Sequence, residues 1–120
     1  APYLSIQADY NMLRRAILNL LLNAVDVMPD GGEIVITGCN GPHGVELEIA
    51  DSGPGLSEDV RRRAFEPFYS TKSSGTGLGL AIVHRIAEVH GGTVRCSNCP
   101  EGGAAFTLQF PYQRALEAAA

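Results

Sequence analysis

Apolar and polar positions alternate in "EIVITG" (33–38) and "VELEIA" (45–50), and again late in the chain in "TVRCSN" (93–98) and "AAFTLQF" (104–110). A period of two is that of a half-buried strand, and the turn-rich "CNGPHG" and "CPEGG" between members of each pair predict two antiparallel hairpins. Two other stretches carry the helical period. Asp9 is placed to cap a helix from about Tyr10 to Met28, stopped by "PDGG". On it Leu13, Ala16, Ile17, Leu20, Ala24 and Val27 form the buried stripe, and Asn19, Asn23 and Asp26 line up along its rim. "LGLAIVHRIAEVHGG" predicts a second long helix with Gly91 at its end, and "SEDVRRRAFEPF" a short one that starts on a capping-box-like Ser57 and is ended by Pro67. "YLSIQA" (3–8) alternates briefly and predicts an edge strand; "YSTKSSGTG" (69–77) predicts a lid-like loop.

In chain order this is strand, helix, hairpin, short helix, loop, helix, hairpin. Helices grouped against a sheet of hairpins predict an α+β fold, a two-layer sandwich in which about three helices cover one face of a mixed, mostly antiparallel sheet, in preference to a doubly wound parallel fold.

Composition narrows the reading. With 120 residues, 45% of them hydrophobic, the chain suits one domain that buries roughly two thirds of its unfolded surface. Residues 1–112 are expected to form it, and 113–120 ("QRALEAAA") to be a tail or linker. The apolar runs "LNLLLNAV" and "LGLAIV" are far shorter than the ~20 residues of a membrane span, and no signal peptide opens the chain, so a cytoplasmic location without membrane contact is expected. A net charge of -4 gives no general attraction to nucleic acid or anionic lipid. Three cysteines are an odd count. Cys96 and Cys99 have C-x-x-C spacing, but Cys39, His84 and His90 supply no second half-site, so free thiols are expected.

Candidate chemistry begins at Asp51. The alternation that puts Val45, Leu47 and Ile49 on one face puts Asp51 on the same face, and a carboxylate in a core-facing row must find a donor. That donor is either a ligand or the turn "DSGPG" that follows, which an Asp commonly caps. "GTGLGL" (75–80) misses both the dinucleotide and the P-loop spacing, yet it leads a flexible backbone into a helix N-terminus, where unpaired N–H groups favour phosphate oxygens. Lys72, the only lysine, stands at the entrance to this loop, whereas Arg61, Arg62 and Arg63 read as a solvated helix face. Phe65 and Phe68 are expected to fill the core under the loop and to dock it when it closes.

"NLLLNAVDVMP", "DSGPGLSED", "FEPFYSTK" and "GTGLGLAIVHRIAEVHGG" follow one another in this order. Together they resemble the N, G1, F and G2 boxes of the ATPase superfamily that includes gyrase, the heat-shock chaperones, histidine kinases and the mismatch-repair ATPases (the GHKL superfamily, with the Bergerat ATP-binding fold). Within it they are most similar to the catalytic and ATP-binding domain of a bacterial sensor histidine kinase, of the short-lid kind found in nitrogen-regulation sensors.

That resemblance implies a role for each residue. Asp51 would accept a hydrogen bond from the adenine amino group, while Gly53 and Gly55 would let the backbone pass close to base and sugar. Asn23 would offer its amide oxygen to Mg2+. Asn19 would stand where true ATPases of the superfamily place a water-activating Glu, which favours phosphotransfer over hydrolysis. Gly75, Thr76, Gly77, Leu78, Gly79 and Leu80 would hold the phosphates. Many members carry a cation three residues after the magnesium Asn; here that residue is Asp26, expected to turn toward water or a helix-end partner, with Lys72 taking over the charge. The implied activity is transfer of the ATP γ-phosphate to a His on a separate dimerisation and phosphoacceptor domain, with a response regulator downstream. His43, His84 and His90 are expected to be surface or helix-end residues, none of them the acceptor. A serine kinase of the anti-sigma type and a degenerate nucleotide-sensing module of the same fold are the alternatives.

Overall fold

Residues 5–69 and 78–112 are described in the computed structural model. Helix α1 spans Tyr10–Asp26. It begins where the sequence places it because Asp9 is extended and its carboxylate accepts the Met12 N–H at 2.9 Å, satisfying one of the first-turn donors. It stops short of Met28, which precedes Pro29 and is thereby disfavoured in helical geometry.

Strand β1 (Ile34–Asn40) and β2 (Gly44–Asp51) form the first hairpin, and β3 (Thr93–Asn98) and β4 (Ala104–Pro111) the second. The order across the sheet is β1-β2-β4-β3, with every pairing among the described residues antiparallel. Between the hairpins lie α2 (Glu58–Arg63), whose cap Ser57 accepts from the Val60 N–H, and α3 (Gly79–Val89), which Gly91 terminates at φ +73°.

The core lies between this sheet and α1 with α3. Val45 faces Phe110, Leu47 faces Leu108 and Ile49 faces Phe106 across β2 and β4, and Val94 joins from β3. Ala16 and Leu20 of α1 and Val83, Ile86 and Ala87 of α3 pack onto that surface. Leu20, Ile49, Leu108 and Val83 are fully buried, each a side chain whose burial contributes about 1.5–3 kcal/mol. The small Ala16 and Ala87, both fully buried, allow close approach of the helices. The result is the expected two-layer α+β sandwich.

One predicted element is absent. Ser5 to Ala8 form no strand, and Tyr3 and Leu4 lie outside the described residues, as do 113–120. Ile6 still packs against the core, but the Asp9 amide bonds the His90 ring at 3.0 Å, so the chain passes directly into the α1 cap with no ladder to continue. Helix α2 ends at Arg63, four residues before Pro67.

Candidate functional site

At one end of the sheet the inward rows turn polar. β2 runs Val45, Leu47, Ile49 and then Asp51; β3 runs Val94, Cys96 and then Asn98, which faces Ala104 of β4 in the register. Asp51 is 6% exposed. Its Oδ1 accepts the Gly53 N–H at 2.9 Å and the Ala104 N–H at 3.2 Å. The turn-capping reading is therefore realised by one oxygen alone. Among the described residues both hydrogen bonds end on Oδ1, which leaves the acceptor capacity of Oδ2 for a donor that these residues do not supply.

The loop 52–56 beside this carboxylate is held on several sides. Ser52 Oγ accepts the Glu33 N–H at 2.9 Å, and the Ser52 N–H donates to the Glu33 carbonyl at 3.1 Å. The Asn98 amide brackets Leu56: Oδ1 accepts its N–H at 2.7 Å and Nδ2 donates to its carbonyl at 3.0 Å. Gly55 takes φ +84°, where a side chain is strained, and a Cβ there would stand 2.8 Å from Asn98 Oδ1. A Cβ on Gly53 would press on Asp51 Oδ1, on Val27 and on Met28 at 3.1–3.3 Å, so the end of α1 packs against the loop. Gly103 adopts φ +88°, and a Cβ there would run into the Asp51 carbonyl. That close approach brings the Ala104 N–H onto Asp51.

Helix α1 also reaches the start of α3, since Asn19 Nδ2 donates to the Gly79 carbonyl at 3.2 Å. Asn23 is partly buried and lies one turn beyond Asn19 and one turn before Val27, between the α3 contact and the loop contact. Asp26, the last residue of α1, is exposed. Leu78 and Leu80 are partly buried. The Leu78 side chain does not cap α3, and among the described residues no atom lies within 4 Å of where a Cβ on Gly79 would stand. Lys72, Gly75, Thr76 and Gly77 lie outside the described residues.

Phe65 packs on the core, edge to face with Phe106 and stacked on His84. Phe68 departs from expectation: it is 76% exposed and takes φ +68°, so only one of the two rings fills the core. Just after Pro67, a left-handed residue turns the ring outward. Arg61, Arg62 and Arg63 pair with Glu58, Asp59 and Glu66 on the exposed face of α2, as a solvated cluster should. His43 is exposed, and His84 lies 3.7 Å from Glu88. His90 accepts the Asp9 N–H on Nε2, which places its proton on Nδ1, 2.8 Å from the Ile86 carbonyl.

Residues 8–114 match the family described as histidine kinase-, DNA gyrase B- and HSP90-like ATPase. The chain belongs to this ATPase family. Among its relatives, the sensor histidine kinase ZraS of Escherichia coli O157:H7 is 43% identical over 88% of the chain and 23% of that protein. Sporulation kinase A of Bacillus subtilis is 42% identical over 88% of the chain and 18% of that protein. The chain thus spans less than a quarter of the relatives' lengths. Full-length ShkA, solved in complex with AMPPNP, superposes with a TM-score of 0.80 at 37% identity over 96% of the chain and 24% of that structure. This chain is therefore an ATPase-family domain of the kind sensor histidine kinases use as their ATP-binding catalytic domain. No described helix is long and apolar enough to cross a membrane.

Asn98, Gly103 and Ala104 are absent from the sequence-level set of site residues. The signal for Asn98 was present, because a polar residue ends the inward row Val94–Cys96–Asn98 as Asp51 ends that of β2. Nothing in the sequence pairs Gly103 with Asp51.

Proposed function

We propose that this domain binds Mg-ATP and transfers its γ-phosphoryl group to a histidine on a separate dimerisation and phosphoacceptor domain, in a cytoplasmic two-component pathway that continues to a response regulator. The observation that carries the reading is Asp51: a buried carboxylate held through Oδ1 by two backbone amides, with no donor to Oδ2 among the described residues, so that Oδ2 can accept from a ligand. An exocyclic amine such as that of adenine is the complementary donor. Gly53 and Gly55 let the loop run close beside the base.

Asn23, whose amide oxygen is the hard ligand Mg2+ prefers, would hold this ion, which would supply charge neutralisation to the phosphates. Lys72 serves as the cation toward the phosphates in place of Asp26, and Gly75, Thr76, Gly77, Leu78, Gly79 and Leu80 present backbone amides to them. Asn19 holds the α1–α3 junction through Gly79 and, as an amide, does not activate water. Residues 1–112 act as the domain and 113–120 as a tail or linker.

The relatives are sensor and sporulation kinases, which favours histidine over serine as acceptor, and the retained Asn23 and Asp51 argue against a degenerate sensing module. Titrating the purified chain with ATP, with and without Mg2+, and then adding a phosphoacceptor domain and γ-labelled ATP tests the reading. Binding strengthened by Mg2+ and label on the acceptor histidine are expected; no binding would overturn it.

A further inference from the structure

We infer that Asn98 is a positioning residue for base recognition, setting the loop that flanks Asp51. The inference rests on the reading of Asp51 as the base anchor. Asn98 closes β3 in the row that contains Ala104, the residue whose N–H holds Asp51. Its amide treats Leu56 as a neighbouring strand would, accepting from the N–H at 2.7 Å and donating to the carbonyl at 3.0 Å. This pair joins residues 42 apart in sequence and gives Leu56, at the far end of the segment between Asp51 and α2, a partner for both its N–H and its carbonyl, as Glu33 holds Ser52 at the near end. Gly55 carries the same message, because its left-handed backbone and missing side chain make the room that Asn98 Oδ1 occupies. Asp51 itself is held by Gly53 and Ala104, so removing the Asn98 amide leaves the anchor in place and releases the far end of the loop.

Asn98→Ala and Asn98→Asp separate this from a general structural role. Asn98→Asp keeps an acceptor for the Leu56 N–H but loses the donor and sets a carboxylate against the Leu56 carbonyl. In the nucleotide-free protein, amide exchange at Leu56 and Gly55 should accelerate in both variants, with the core strands unchanged. Adenosine and ATP affinities should fall by the same factor, about tenfold in Asn98→Ala and less in Asn98→Asp, and the preference for ATP over GTP should shrink. If the parent chain binds ATP and both variants bind it equally well, the inference is overturned while the function stands. If the parent chain binds neither ATP nor adenosine, both fall. Exchange accelerated throughout the sheet, or loss of ATP affinity with adenosine affinity retained, would likewise overturn it.

Discussion

Ala104 donates its backbone N–H to Asp51 Oδ1 at 3.2 Å, across 53 residues of sequence, and so the carboxylate at the end of β2 is oriented by the first residue of β4. With Oδ1 committed to main-chain donors, Asp51→Asn must keep its carbonyl oxygen there and turn its NH2 to the side the ligand meets. A donor then faces a donor. ATP affinity should fall by about 1–3 kcal/mol with little change in melting temperature, as calorimetric titration beside thermal unfolding would read. Equal affinity in a folded variant would remove Asp51 from the site.

Gly103→Ala should act on the same carboxylate from the opposite side. Its φ of +88° is strained for any side chain, and the added Cβ meets the Asp51 carbonyl. A stability loss on the order of 1–3 kcal/mol is expected from the backbone alone, together with weaker nucleotide binding as the Ala104 N–H moves away. Gly102→Ala is the control: its φ is also positive, but no atom lies within reach of the new Cβ, so it should lower stability without the added loss of affinity.

Lys72 is the only lysine in a chain of net charge -4, and Asp26 offers no cation on the α1 rim. Lys72→Ala should weaken ATP more than adenosine in paired titrations, and the difference should shrink at high salt as exposed charges are screened. Equal weakening of both ligands would place Lys72 away from the phosphates.

Incubated with γ-labelled Mg-ATP, the chain should neither label itself nor release phosphate at an appreciable rate. Both His90 nitrogens are engaged, His84 is stacked on Phe65 beside Glu88, and His43 sits in the β1–β2 turn. Asn19 donates its amide to Gly79 and has no basic site with which to take a proton from water. Stoichiometric self-labelling would show that the chain contains its own acceptor. Rapid phosphate release abolished by Asn23→Ala would move the protein toward hydrolysis.

The thiols should separate by reactivity. Burial raises the Cys96 pKa, only partly countered by Arg61, while burial and then the carboxylates of Glu48, Glu101 and Asp51 raise that of Cys99. Raised values mean less thiolate at a given pH, so both should alkylate slowly near neutrality and faster as pH climbs. Cys39 is exposed on edge strand β1 and should be modified first, which timed iodoacetamide labelling with peptide mapping would read.

The sequence by itself determined both hairpins, both long helices and the place of Asp51 in the core-facing row. Period-two and helical patterns placed both hairpins and both long helices, Asp9 and Ser57 marked helix starts through their own side chains, and the alternation ending at Asp51 singled it out. These are local signals, carried by residues within one element. The tertiary structure decided what depends on residues far apart in the chain. It showed that Oδ1 of Asp51 is held by Ala104, that Asn98 brackets Leu56, and that Asn19 clamps the start of α3. It also left Ser5 to Ala8 without a strand and turned Phe68 to solvent. Alternation over four residues forms a strand only where a ladder partner is waiting, and an aromatic fills the core only if its backbone points it there. Gly53, Gly55 and Gly103 mark the boundary between the two: each is visible in sequence, but the atom its missing Cβ avoids belongs to a distant segment or to the anchor itself, and only the folded chain brings that atom near.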